Sequence, residues 1–454
     1  MLTVICIIAI IICSYIFYCI RKISKDGFLN SFYVLFYLIQ VILAIGLYIY
    51  DKNYMLGNNL KIVLFLESFS YASVTACFGV LIGQFIANKV FGIHAISLNR
   101  RINILSKKYD VNKISWFFLI GFIFTILSSL DLSYVFAVFA LSFSFSPVII
   151  GLFWNKINKK VKAIWIIALI INFIFHIVQG SRGTALFPII FVVIGYLFAI
   201  HKDKSKMIRM SIIYGILFLI CMPFFSFIQF FREYYGRGLD VSFENIELMW
   251  KVAELYNEGK INDDENEVDN SFGRFLIGPN VAVPYMTPKR VPYRGYKAMD
   301  AELQSMVSLK GSEGRKKARE DLGSEKYGLG VASKYGFFVS DTSSVEWPLF
   351  ADGYSRFGYT GVFVYSILFA FVLAALEKLV NKLHYKYSLL SFVLMLFILY
   401  NGVLSYMYSY FDFFKVLIFR FALVIIVTIL IARVCKRIPD YSVSYHVKKK
   451  KCLK

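Results

Sequence analysis

The residues best equipped for chemistry in this chain are arginines set beside glycines at the ends of apolar runs. Gln179-Gly180-Ser181-Arg182-Gly183 joins the runs Ile164–Val178 and Thr184–Ile200, each about the length needed to cross a bilayer. A guanidinium stays charged and presents a planar fork of donors that matches phosphate oxygens. Gly180 and Gly183 let a ligand come close to the backbone. Ser181 and Thr184 can cap the next helix, whose N-terminus favours an anion. The competing reading is an arginine that snorkels to lipid phosphates or pairs with a loop acid; it leaves the flanking glycines without a purpose.

A second set follows the apolar run Met210–Phe230: Phe231-Arg232-Glu233-Tyr234-Tyr235-Gly236-Arg237-Gly238. Arg232 and Arg237 supply further permanent cations. Glu233 is either an acid–base group or the partner of one of these arginines. Tyr234 either meets substrate or anchors the chain at the interface. A third set is Ser340-Asp341-Thr342-Ser343-Ser344-Val345-Glu346-Trp347-Pro348, then Asp352-Gly353-Tyr354-Ser355-Arg356-Phe357-Gly358-Tyr359-Thr360-Gly361. Asp341, Glu346 and Asp352 precede the next apolar run, Gly358–Leu376, and any of them can take the proton of an attacking hydroxyl; a solvated loop acid is the plain alternative. Arg356 joins the candidate cations. Tyr354, Phe357 and Tyr359 either stack on sugar rings or belong to an aromatic belt. Arg274, Arg290 and Arg294 bind an anionic sugar or form salt bridges. His176, about one turn before Arg182's link, is either a proton carrier or a buried, hydrogen-bonded histidine. Gln84 and Asn401 read as helix–helix hydrogen bonds. His94, His201, His384 and His446 fall beside basic loops, on the other side of the membrane from these sets.

These residues need a scaffold, and the composition says which kind. Of 454 residues 58% are hydrophobic and 17% charged, against about 45–50% and about 25% in soluble domains. The chain therefore reads as an all-α polytopic membrane protein. Apolar runs begin with Leu2–Ile20, Phe28–Tyr50, Ile62–Ala87, Ile114–Leu130 and Leu132–Phe153, and close with Tyr387–Tyr408 and Phe413–Ile431. Every second loop is rich in Lys and Arg: residues 21–25, 89–113, 156–162, 202–209, 378–386 and the tail from Arg433. Short basic loops stay in the cytoplasm. This predicts about eleven spans, with the N-terminus outside and the C-terminus inside. The formal charge of +21 then serves topology and anionic lipid rather than nucleic acid. The first run lacks a basic n-region and a cleavage site, so it is expected to be retained.

The predicted organisation is a transmembrane unit over 1–230, a large extracytoplasmic loop over 231–357, further spans over 358–432 and a basic tail over 433–454. The loop's charges nearly balance. Its pattern predicts helices at Phe243–Asn257, which carries Trp250 and Tyr256, and at Gly314–Leu322; prolines 279, 284, 288 and 292 imply turns between them. The acidic run Asp263–Asp269 lacks the glycine and spacing of an EF-hand. The seven cysteines avoid the loop and form no CxxC, so neither a disulfide frame nor a zinc site is expected. Walker, GxSxG and HExxH motifs are absent from the sequence.

On these residues the chain resembles the bacterial O-antigen and capsule repeat-unit polymerases of the Wzy type. The glycine-flanked arginine opening a helix, the single large late loop, and its ending at Pro348, Asp352-Gly353-Tyr354, Phe357-Gly358 and Gly361 carry the resemblance. The family pattern has an acid after the glycine; here Asp352 precedes it. The resemblance implies a metal-independent glycosyltransferase of the GT-C type with no cofactor, in the plasma membrane. It would transfer a growing glycan from undecaprenyl diphosphate to a lipid-linked repeat unit, with a chain-length regulator as a possible partner. Arg182, Arg232, Arg237 and Arg356 would stabilise the diphosphate. The rival readings are an O-antigen ligase, which shares donor and scaffold, and a transporter of the lipid-linked unit. Against the transporter stands the want of inverted repeats and midplane charges.

Overall fold

A computed structural model describes residues 2–23, 29–52, 55–57, 60–92, 98–128, 134–179, 182–200, 203–216, 243–257, 349–404 and 410–436. The elements are α1 (Leu2–Ile23), α2 (Leu29–Tyr50), a small hairpin of β1 (Met55–Gly57) and β2 (Leu60–Lys61), α3 (Ile62–Phe91), α4 (Leu98–Lys108), α5 (Val111–Ser128), α6 (Tyr134–Phe143), α7 (Ser146–Phe153), α8 (Lys159–Val178) and α9 (Arg182–Ile200). Then come α10 (204–216), α11 (Phe243–Asn257), α12 (Leu349–Lys386), α13 (Ser388–Ile398) with a π-helical extension Leu399–Leu404, and α14 (Tyr410–Cys435). Among the described residues six helices are long and apolar enough to cross a membrane, and Ala185–Ile200 and Ser388–Asn401 are shorter apolar helices. The chain is a helical, multi-pass membrane protein. α8 shows the logic: Ile166, Ile167, Ile170, Ile171 and Ile174 form an exposed stripe, while Trp165, Asn172 and His176 are buried on the other side. Lipid is as apolar as the stripe, so only the opposite face needs a protein partner.

Close backbone approach sets the interior. Gly79 and Gly83 of α3 lie against α12: a Cβ on Gly79 would stand 2.8 Å from the Ser366 Cβ, and one on Gly83 2.9 Å from that of Ala370. Gly151 of α7 and Gly195 of α9 face each other in the same way, a Cβ on Gly195 falling 3.1 Å from the Gly151 Cα. Small residues let helices approach where apolar burial alone gives no drive. Across this core Asn30 Nδ2 donates to Gln84 Oε1 and to the Ala370 carbonyl (2.9 Å). Gln84 thus bonds a neighbouring helix as expected. Asn401 does not: its Nδ2 donates to the Phe397 carbonyl (3.0 Å) one turn back, where the helix widens into the π-turn.

Several stretches depart from the sequence reading: residues 204–209 and 378–386, read as basic loops, are helical parts of α10 and α12, and two more departures bear on the packing. The run Leu132–Phe153 is broken into α6 and α7, with Pro147 at the start of α7. Proline lacks an N–H and fits the first turn of a helix, so a new helix begins there. The basic stretch 89–113, read as a loop, contains the amphipathic α4. Its Arg101, Ile102 and Leu105 are buried, and Arg100, Asn103, Lys107 and Lys108 are exposed.

α4 ties one end of the bundle together. Arg101, 1% exposed, donates to Asn381 Oδ1 of α12 and Ser391 Oγ of α13. Burial lowers its guanidinium to about 10, opposed by the charge of nearby Glu377, and it stays protonated at neutral pH. Lys156 Nζ donates to Ser106 Oγ (2.8 Å), the Asp110 N–H to the Cys435 carbonyl (2.9 Å), and Asn88 Nδ2 to the Ile23 carbonyl (3.0 Å). Lysines at this end sit over aromatic rings: Lys89 over Phe85 (4.6 Å), Lys378 over Phe91 (5.4 Å), Lys162 over Trp154 (5.6 Å). The described Lys- and Arg-rich segments joined by these contacts therefore gather at one end, and α8, which begins there at Lys159, carries its last turn to the other.

Candidate functional site

α8 is capped by Asn158, whose side chain accepts the Val161 N–H (2.8 Å), and its last turn carries His176. His176 is 4% exposed and lies edge-on to Phe175 at 5.4 Å. Its Nδ1–H donates to Gln179 Oε1 (3.2 Å), which leaves Nε2 as the basic nitrogen. The Gln179 N–H in turn reaches the Phe175 carbonyl (3.2 Å) and ends the helix. His176 is thus buried and hydrogen-bonded through Nδ1, which is compatible with either of its two roles.

Arg182 is the first residue of α9. The opening turn of a helix leaves N–H groups without intrahelical acceptors, and the macrodipole there favours negative charge. The residue type at that position is an arginine. α9 is held by its neighbours: the Gly151–Gly195 approach fixes it on α7, Phe191 meets Tyr400 edge-on at 5.2 Å, and Phe198 meets Phe32 of α2 at 5.6 Å.

The second piece is a corner in α12. Its helical path breaks at Phe357 and Gly358, where Gly358 has φ 64 and ψ −149, a conformation essentially confined to glycine. The chain reverses so sharply that Gly353 and Gly361 touch: a Cβ on Gly353 would lie 2.8 Å from the Gly361 carbonyl oxygen. Tyr354 is 3% exposed, belongs to the core and meets Tyr359 edge-on at 5.1 Å. Residues 349–356 thus form a short helical arm folded back on the span that follows. Asp352 and Arg356 stand one turn apart on this arm. α2 packs on both helices away from these two points: Tyr33 meets Phe369, eleven residues beyond Gly358, at 5.0 Å, and Phe32 meets Phe198, near the far end of α9 from Arg182, at 5.6 Å.

Arg182, Asp352 and Arg356 are thus placed by their helices, and Tyr354 and His176 by their packing as well. Arg232, Glu233, Tyr234, Arg237, Arg274, Arg290, Arg294, Asp341 and Glu346 lie outside the described residues, as does the helix expected at Gly314–Leu322. Sequence reasoning missed the buried polar cluster of Arg101, Glu377, Asn381 and Ser391. The available signals were a cation beside Ile102 and Leu105 in an amphipathic pattern and an acid, Glu377, at the end of an apolar run. No family model, curated protein or solved structure matches the chain.

Proposed function

We propose that the chain is a metal-independent, GT-C-type polymerase of lipid-linked glycan repeat units. The observation that supports this reading is Arg182 at the opening residue of α9, flanked in the sequence by Gly180 and Gly183. That combination suits a diphosphate. With the basic end in the cytoplasm, the α8–α9 link and the long polar segment face outward, where such a donor would present its headgroup.

In the reaction, an acceptor hydroxyl of the incoming repeat unit forms a bond to the anomeric carbon of the growing glycan. The bond from that carbon to the undecaprenyl diphosphate oxygen breaks, and the electron pair leaves with the diphosphate. Arg182, Arg232, Arg237 and Arg356 stabilise the charge that develops there. The hydroxyl proton passes to a carboxylate among Glu233, Asp341, Glu346 and Asp352, or to His176 through its Nε2. Arg274, Arg290, Arg294 and Tyr234 are the further sugar-binding candidates.

The test is turnover of defined lipid-linked repeat units by the purified protein. Arg182→Ala is expected to lower turnover by about 10²–10³-fold, the scale of one lost charge-stabilising donor, with unchanged thermal melting. Wild-type polymer length in a deletion strain complemented with Arg182→Ala would overturn the proposal. A deletion strain with no glycan on its acceptor core would point to a ligase, and one with single repeats there to a polymerase.

A further inference from the structure

The polar segment contributes one described helix, α11, whose two faces differ sharply. Val252 is buried, and α11 lies against α8. On the opposite face Trp250 is 75% exposed. Glu247 precedes it by three positions and Glu254 follows by four, so all three share that face. Glu247 pairs with Lys251 at 2.8 Å, and that contact draws the Glu247 carboxyl below its ordinary range. A large indole left in water forfeits its burial stabilisation, which an occupant would restore. Hydrocarbon is a poor one: lowering Trp250 among acyl chains would take Glu247, Lys251 and Glu254 with it.

A sugar ring fits this face better. Its C–H side stacks on an indole, its hydroxyls donate to carboxylates, and the indole Nε1–H donates to a ring or hydroxyl oxygen. We propose that Trp250, flanked by Glu247 and Glu254, is a glycan subsite that holds a sugar of the chain being extended. Two carboxylates against one ammonium favour a neutral or amino sugar and disfavour a uronic acid. The identity of the glycan rests on the polymerase reading; the stacking chemistry does not. α11 packs on α8, the helix that leads into Arg182's link, so the subsite and the proposed donor site share a support.

The full chain in nanodiscs is titrated with oligosaccharide released from the host's own surface polysaccharide, and the fluorescence difference between wild type and Trp250→Phe isolates this indole. The expected result is a blue shift and protection from acrylamide on adding oligosaccharide, with no quenching by dibrominated phosphatidylcholine. Trp250→Ala should weaken oligosaccharide binding about tenfold and Glu254→Gln by a smaller factor. Polymer made by Trp250→Ala should be shorter, with the first addition still dependent on Arg182. Quenching by brominated lipid without oligosaccharide protection would make Trp250 an interfacial anchor and overturn the subsite. If Arg182→Ala leaves polymer unchanged while the oligosaccharide still protects Trp250, the polymerase reading fails and the subsite stands. If Arg182 matters and Trp250 does not respond, only the subsite fails.

Discussion

If the proposed polymerase reading holds, Gly361→Ala should disable turnover without unfolding the protein. The added methyl would stand 2.7 Å from the Gly353 carbonyl carbon, and nearer still to its oxygen. Carbon atoms in contact settle at about 3.5–4.0 Å, so the arm 349–356 must retreat by about 1 Å or more. Neither partner can yield by turning a side chain, since both contacts are backbone. Overpacking of this kind costs about 1–3 kcal/mol, which a bundle of this size can absorb. On that reading the arm carries the proposed site residues Asp352 and Arg356, and a displacement of about 1 Å at a reacting group costs about 10²-fold in rate. Turnover of a lipid-linked repeat unit and thermal melting in the same detergent measure the two effects separately. Gly46→Ala is the matched control: nothing lies within 4 Å of its added Cβ, and both readouts should stay at wild-type values. Wild-type turnover and melting in Gly361→Ala would refute the account of the corner.

Two further substitutions probe the scaffold. Arg101→Ala removes the cation beside buried Glu377 and the donors to Asn381 and Ser391, and should destabilise by about 3–5 kcal/mol; adding Glu377→Gln should recover part of that loss, and additive effects in a double-mutant cycle would show that the two groups are not coupled. Asn30→Leu deletes the bonds to Gln84 and Ala370 and should cost about 0.6–2 kcal/mol in detergent unfolding; a variant as stable as wild type would mean that the bonds contribute nothing net.

Much of the scaffold was legible before folding. α2, α8 and α9 begin and end within a few residues of the apolar runs or the charges that bound them, and α11 occupies the range its pattern predicts, Phe243–Asn257. α9 begins at Arg182, two residues before the apolar run read from Thr184, at the start that a Ser181 cap, one of the two offered, implies. The break before Pro147 was harder to read. A proline inside an apolar run can bend a helix or begin a new one, and the neighbours of that run decide which.

Local chemistry accounts for this division. In a bilayer each backbone polar group must be satisfied within its own segment, so apolar length and charged ends specify helices one at a time, and the sequence alone determined a many-helix membrane chain with its cations gathered on alternate loops. Backbone approach and charge burial involve residues far apart in the chain. Gly151 meets Gly195, Asn30 meets Ala370, and Arg101 meets Asn381 only once helices are paired. The reversal at Gly358 and the burial of Tyr354 were decided there too, because an aromatic beside a glycine suits an interfacial belt and a packed corner equally until a facing surface exists.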